Sequence, residues 1–174
     1  DNGPLLKKVV CPPEVFPTVT LLSHLFHHLL ALPVLLLAVV AASMAGFMAF
    51  PWTMALLPLV LLLWVLTVGG LVLAVAALSV HFRDLKDLLH NGLNLLFFLT
   101  PIIYTLEMIP VPLLRRAILL NPVTPLVELY RGVVLLGKVP SGSVWGAALA
   151  VTLVSVALGL VIFGRLRETL AESV

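Results

Sequence analysis

From Val15 to Phe82 the chain carries no Asp, Glu, Lys or Arg. A soluble domain cannot hide so long an uncharged stretch, because most charged side chains sit on its wetted surface and space out its apolar runs. In lipid every backbone N–H and C=O must be satisfied internally, so the stretch predicts membrane-crossing helices. Over all 174 residues, 61% are hydrophobic and 10% are charged, where soluble domains carry about 25% charged residues. The chain reads as an all-α integral membrane protein. Its net charge of +2 therefore does not point to nucleic acid. The basic residues flank the apolar runs, where they set topology and meet lipid headgroups.

Apolar length and helix breakers divide the chain into four transmembrane helices, near residues 18–44, 56–80, 88–106 and 144–164. Pro33 lies within the first as a tolerated kink. Phe47, Phe50, Pro51 and Trp52 gather aromatic rings and a breaker between the first two spans, as expected at a membrane surface. The second span, about 37 Å long at 1.5 Å per residue, is long enough to cross with tilt. The third holds Asn91, Asn94 and an interior Thr100-Pro101, which predicts a short, kinked helix. The fourth follows the turn Pro140-Ser141-Gly142-Ser143. Four spans put both ends on one side. Lys7, Lys8, Arg83, Lys86, Arg165 and Arg167 share that side, which the positive-inside bias makes cytoplasmic.

Between the third and fourth spans, residues 109–139 do not read as a loop. Leu126, Leu129, Tyr130, Val133 and Val134 recur at helical spacing, and Glu128 and Arg131 stand one turn apart on another face. The Asn121-Pro122 break just before them survives at membrane depth only against protein or a watery cavity. A re-entrant helical hairpin lining a pathway is the expectation. Its bland counterpart is a Glu128–Arg131 pair that merely fixes the hairpin, since polar groups in a bilayer find each other first.

Other signals are weaker. His24, His27 and His28 have i, i+3, i+4 spacing that could gather three imidazoles around a metal, but no carboxylate or thiolate supports them, so a polar patch on a packed span is the simpler reading. Gly142 and Gly146 have small-xxx-small spacing but straddle a turn, where glycine has its own use. The lone Cys11 allows no internal disulfide and reads as an idle reduced thiol. No phosphate loop is present, so nucleotide must be handled by a partner. Span interiors lack Asp and Glu, which argues against proton-coupled transport and intramembrane acid–base catalysis.

Taken in order, Leu5-Leu6-Lys7-Lys8-Val9, Pro12, Pro17, a span pair, Phe82-Arg83-Asp84-Leu85, Phe98-Leu99-Thr100-Pro101-Ile102-Ile103-Tyr104 and Asn121-Pro122 through Tyr130-Arg131 resemble the ABC-2-type exporter permeases. Within that family the likeness is to the polysaccharide and O-antigen (polyol phosphate) export branch. It covers essentially the whole chain. Family members have six spans and the last four are matched, so a chain beginning at Asp1 is expected to lack the first two spans and the amphipathic helix before them.

The resemblance implies a permease subunit, not an enzyme. It would form a homodimer and pair with a separate ATPase that binds ATP and Mg, in the bacterial inner membrane. The cargo would be a lipid-linked polysaccharide, O-antigen or related glycoconjugate. Residues 1–17 correspond to the cytoplasmic loop that docks on the ATPase, which puts Leu5, Leu6, Lys7, Lys8, Pro12 and Glu14 at that contact. Pro13 stands where the family usually has a basic residue, and a basic juxtamembrane anchor is the competing account. Arg83 and Asp84 would either cap the end of a span or transmit ATPase movement. The re-entrant helices would lie near the external exit. Arg115, Arg116, Asn121, Glu128, Tyr130 and Arg131 would then meet substrate or hold a gate shut, with Phe97, Phe98, Tyr104 and Tyr130 as faces for sugar rings. Alternatives are a permease for a drug or small lipid, which predicts fewer aromatic and polar groups along the path, and a membrane enzyme or scaffold without an ATPase.

Overall fold

The computed structural model describes residues 15–82 and 84–172. Six α-helices and two 3-10 turns follow one another, with no strand among the described residues. Helix α1 is Val15–Met44, α2 is Leu57–His81, α3 is Leu85–Leu99, α4 is Pro112–Leu120, α5 is Thr124–Val134 and α6 is Gly142–Glu172. Three segments are long and apolar enough to cross a bilayer: Thr18–Met44, Trp52–Ser79 and Gly142–Leu166. Their apolar side chains point largely outward, as Leu22, Phe26, Leu37, Leu62 and Leu153 do. That is the pattern of helices whose surroundings are hydrocarbon.

The expected third span differs. The helix starts at Leu85 and stops at Leu99, with Thr100 extended at φ −91° and ψ 131°. Thr100-Pro101 therefore ends the helix rather than kinking it, because a residue before proline is pushed out of the helical region. At 1.5 Å per residue α3 reaches about 22 Å, short of a hydrocarbon core of about 30 Å. It buries no residue. Pro33, by contrast, sits inside an unbroken α1.

Helices α2 and α6 form the tightest pair. A Cβ placed on Gly159 would lie 2.3 Å from the Gly70 carbonyl oxygen, and one on Gly70 would lie 2.5 Å from the Ser155 carbonyl. The two backbones are in direct contact there. Around the crossing, Ser155 Oγ donates to the Thr67 carbonyl at 2.7 Å, and the Thr67 and Thr152 hydroxyls meet at 2.9 Å. Each threonine oxygen also lies 2.8 Å from the carbonyl four residues back on its own helix. Small residues that let backbones approach, with hydroxyls bonded across them, are how helices associate where lipid tails are as apolar as leucine. Gly142 and Gly146, whose small-xxx-small spacing was set aside in favour of a turn glycine, have open space at both Cβ positions and take no part.

The hydrophobic core lies where α5 meets α1, α2 and α6. Val39, Val60, Leu63, Leu126, Leu129, Val133, Val134 and Ala148 are buried together. The α5 face predicted by periodicity is thus the buried one, with Tyr130 at its margin. Below it, Thr53 Oγ1 donates to the Val133 carbonyl at 2.7 Å, and Gly137, at φ +59°, lies against Pro51. Only a residue without a Cβ takes that positive φ at no cost. The α1–α2 turn and the exit of the hairpin therefore sit at one end of the molecule. Phe50 and Trp52 stack edge-on there, 5.2 Å between centroids.

Candidate functional site

The site grows from the place where α3 ends. Breaking a helix leaves carbonyls without their usual N–H partners, and at membrane depth these need donors from elsewhere. In the last turn of α3 the Leu96 and Phe97 carbonyls accept from Thr100 and the Phe98 carbonyl from Tyr104, and Arg131 on α5 supplies donors to the carbonyls of the turn beyond it. Its Nη2 donates to the carbonyls of Pro101, Ile102 (3.1 Å) and Tyr104 (2.9 Å), two protons shared among three oxygens. Its Nη1 donates to Glu128 Oε1 at 3.0 Å, and the Arg131 side chain is only 11% exposed. The planar fork of guanidinium N–H groups suits this many acceptors, and charged donors make stronger bonds than neutral ones.

A second clasp lies at the other end of the hairpin. Asn121 Nδ2 donates to Thr100 Oγ1 at 2.9 Å, and the Thr100 hydroxyl in turn donates to the Leu96 carbonyl at 2.6 Å. Asn121 Oδ1 accepts from the Val123 N–H at 2.9 Å, and Thr124 Oγ1 donates to the Ile118 carbonyl at 2.7 Å. Asparagine followed by proline therefore makes a tight turn between α4 and α5 with its backbone groups satisfied internally. Both Thr100 and Asn121 are buried.

Two hollows flank this assembly. The larger, about 560 Å³, lies among α1, α2 and α5 and is lined by apolar walls together with His24, His28, Tyr130, Arg131 and Ile102. The smaller, about 310 Å³, is lined by Phe98, Leu99, Tyr104, Met108, Ile109, Leu114 and Ile118. Tyr104 OH donates to the Phe98 carbonyl at 3.0 Å, which ties the ring of Tyr104 back onto α3.

The residues singled out from sequence separate into groups. Asn121, Glu128, Arg131 and Tyr104 converge on the 100–104 turn. Phe98 joins them through Tyr104, while Phe97 stacks on Phe98 at 5.5 Å and is half exposed. Tyr130 turns the other way and meets His28 edge-on at 6.4 Å. The Glu128–Arg131 pair expected as the bland account is present, but it is one part of a larger lattice of bonds that the charge spacing alone did not announce. Thr100 and the carbonyls of Pro101, Ile102 and Tyr104 were missed as partners. Their signal was a threonine and proline ending an apolar run, which leaves acceptors in need of a donor.

The three histidines divide as well. His24 and His28 line the larger hollow, whereas His27 Nδ1 bonds the Ser23 carbonyl at 2.7 Å. No three potential ligands converge on a metal position among the described residues. Arg115 and Arg116 are exposed on α4. Asp84 is exposed at the start of α3 and its carboxylate caps nothing. Arg83 and the expected ATPase-contact residues Leu5, Leu6, Lys7, Lys8, Pro12 and Glu14 lie outside the described residues.

The profile of the ABC-2 type transporter family matches residues 15–135, which takes in α1 through α5 and so both clasps. The O-antigen export system permease protein RfbA of Myxococcus xanthus is 33% identical over the whole chain. Two proteins of the same name from Klebsiella pneumoniae are 27% and 26% identical over 98% of it. The chain spans 66% of the length of the first relative and 64% of the other two. An all-helical membrane architecture, a broken third helix followed by a two-helix hairpin, and a family match across both agree: the chain belongs to the ABC-2 type transporter family.

Proposed function

We propose that the chain forms part of the permease subunit of an ATP-driven exporter that moves an O-antigen or related lipid-linked polysaccharide across the bacterial inner membrane. The observation that carries this reading is the similarity along the full chain to permeases named for O-antigen export. A separate ATPase subunit would bind ATP and Mg and supply the work. Two permease copies would enclose the path, with both termini in the cytoplasm, which requires α3 and the extended chain after Leu99 to make the third crossing together.

ATP-driven closure of the ATPase would press on residues 1–17, and the movement would pass through the spans to the hairpin. On this reading the hairpin residues act as follows. Arg131, Glu128 and Asn121 hold the gate, since their polar atoms are engaged with the 100–104 turn and with each other. Phe97, Phe98, Tyr104 and Tyr130 offer ring faces to sugars; the positions of Phe98, Tyr104 and Tyr130 beside the hollows, and of Phe97 stacked on Phe98, support that use. Arg115 and Arg116, exposed on an amphipathic α4, suit contact with phosphate groups near a membrane surface.

The test is export itself. The permease gene containing this chain, together with a candidate ABC ATPase gene from the same genome, is placed in a strain that assembles O-antigen on its lipid carrier but lacks its exporter. Surface glycan that depends on both genes is the expected result. Surface glycan absent despite normal membrane insertion would overturn the assignment of cargo.

A further inference from the structure

Among the described residues one buried side-chain donor stands without an acceptor: the indole nitrogen of Trp64. Trp64 lies near the middle of the Trp52–Ser79 span, away from the headgroup belt in which membrane tryptophans usually find a partner. It lines the larger hollow, about 560 Å³, together with His24 and His28. Arg131 borders the same space, but its donors are already engaged with Glu128 and with the carbonyls of Pro101, Ile102 and Tyr104. The other walls are apolar, among them Leu61, Val65 and Val127.

No fluid occupant suits this lining. Lipid tails carry no acceptor, so hydrocarbon would leave the indole N–H unsatisfied. Water would satisfy it, yet an ordered water needs several polar partners and most of these walls offer none. A transmembrane helix meets both demands. Its apolar face fills the space, and a Ser, Thr, Asn or Gln side chain on that face accepts from the indole, as polar side chains do between helices in lipid. The surroundings leave room for one. Among the described residues of α1 only Val39 is buried, and α3, beyond which Ile102 reaches the hollow, buries none. The relatives are also longer than this chain, which spans 66% of one and 64% of the other two.

We infer that the hollow among α1, α2 and α5 is the seat of a further membrane helix, contributed by a part of the permease polypeptide beyond residues 1–174, and that this helix presents a side-chain acceptor to Trp64. The inference rests on family membership and on the lining of the hollow, not on the cargo.

The permease is expressed from the gene containing this chain, in membranes of a strain that makes no O-antigen, with a diazirine-bearing amino acid in place of Val65, and is irradiated. Mass spectrometry is expected to find position 65 joined to a peptide of the same polypeptide outside residues 1–174, apolar and carrying Ser, Thr, Asn or Gln within one turn of the joined residue. Adducts with lipid, with water or only with residues 1–174 overturn the proposal. A second measurement tests the acceptor. Its replacement by alanine is expected to lower the unfolding temperature clearly when Trp64 is present and much less in a Trp64→Phe background, which keeps a ring but removes the N–H. Equal shifts in the two backgrounds overturn the pairing with Trp64. Neither readout involves cargo, so the export reading can fail while the helix seat stands.

Discussion

The α2–α6 crossing and the α3–hairpin junction are both contacts between helices in a bilayer, yet they are held by opposite means. At the crossing, Gly70 and Gly159 bring backbones together and buried Thr67, Thr152 and Ser155 bond across them. At the junction a helix with no buried residue runs into buried Thr100 and Pro101, and one guanidinium and one amide tie that turn to the hairpin. The first arrangement has no alternative geometry, because any rotation drives backbone into backbone. The second can be undone bond by bond. Rigidity and release are thus assigned to different chemistry within one chain.

The sharpest way to break this contrast is to put a side chain into the crossing. Gly159→Leu would drive carbon into the Gly70 carbonyl, a backbone atom that cannot swing aside, so the loss should exceed the 1–3 kcal/mol of ordinary overpacking, above about 3 kcal/mol. Thermal aggregation of the detergent-solubilised protein should then occur without a distinct folded peak on size exclusion. A folded, monodisperse variant would mean the crossing is looser than described. Next in size is Arg131→Ala, which strands Glu128 and three carbonyls and should cost about 3 kcal/mol locally. Its effect should fall on the junction, with α2 and α6 still resistant to limited proteolysis and export lost.

Asn121→Ala removes one neutral clasp and should cost about 1–2 kcal/mol, seen as a partial loss of export and faster proteolysis between α4 and α5. Thr67→Val tests the hydroxyl bridge. Interhelical hydrogen bonds of this kind average about 0.6 kcal/mol and reach about 1.7, so a small drop in thermal stability with full export is expected. Smallest of all is Gly142→Ala, where open space surrounds the new methyl; unchanged stability is expected, and a measurable loss would show that the Gly142–Gly146 spacing matters after all.

Much of this architecture was legible in the residues, and what was not has a physical cause. Uncharged length identified α1, α2 and α6, because the bilayer imposes one requirement that composition records directly. The apolar face of α5 was legible for the same reason, from Leu126 to Val134. The end of α3 was not, since Thr100-Pro101 is compatible with either a kink or a stop, and the choice was made by partners outside the helix. The Gly70–Gly159 contact escaped notice because its signal is spread over two segments far apart in the chain, Thr67 to Ala77 and Thr152 to Gly159. Only their small residues at spacings of three and four gave it away. The reach of Arg131 to the carbonyls of Pro101, Ile102 and Tyr104 left only an indirect mark, the Thr100-Pro101 that ends the apolar run, since backbone acceptors have no letter in the sequence.

The Gly70–Gly159 contact also bears on how the chain is made. Helix α2 emerges from the ribosome well before α6, and nothing else in the described structure can occupy the groove at Gly70 as closely as Gly159 does. During synthesis α2 must wait in the bilayer, with α3 and the hairpin already following it, until the last helix arrives. Everything from Phe82 to Ser141 is then a loop whose two ends are fastened by the final event of assembly, so a chain interrupted before α6 leaves the junction and its clasps without a frame.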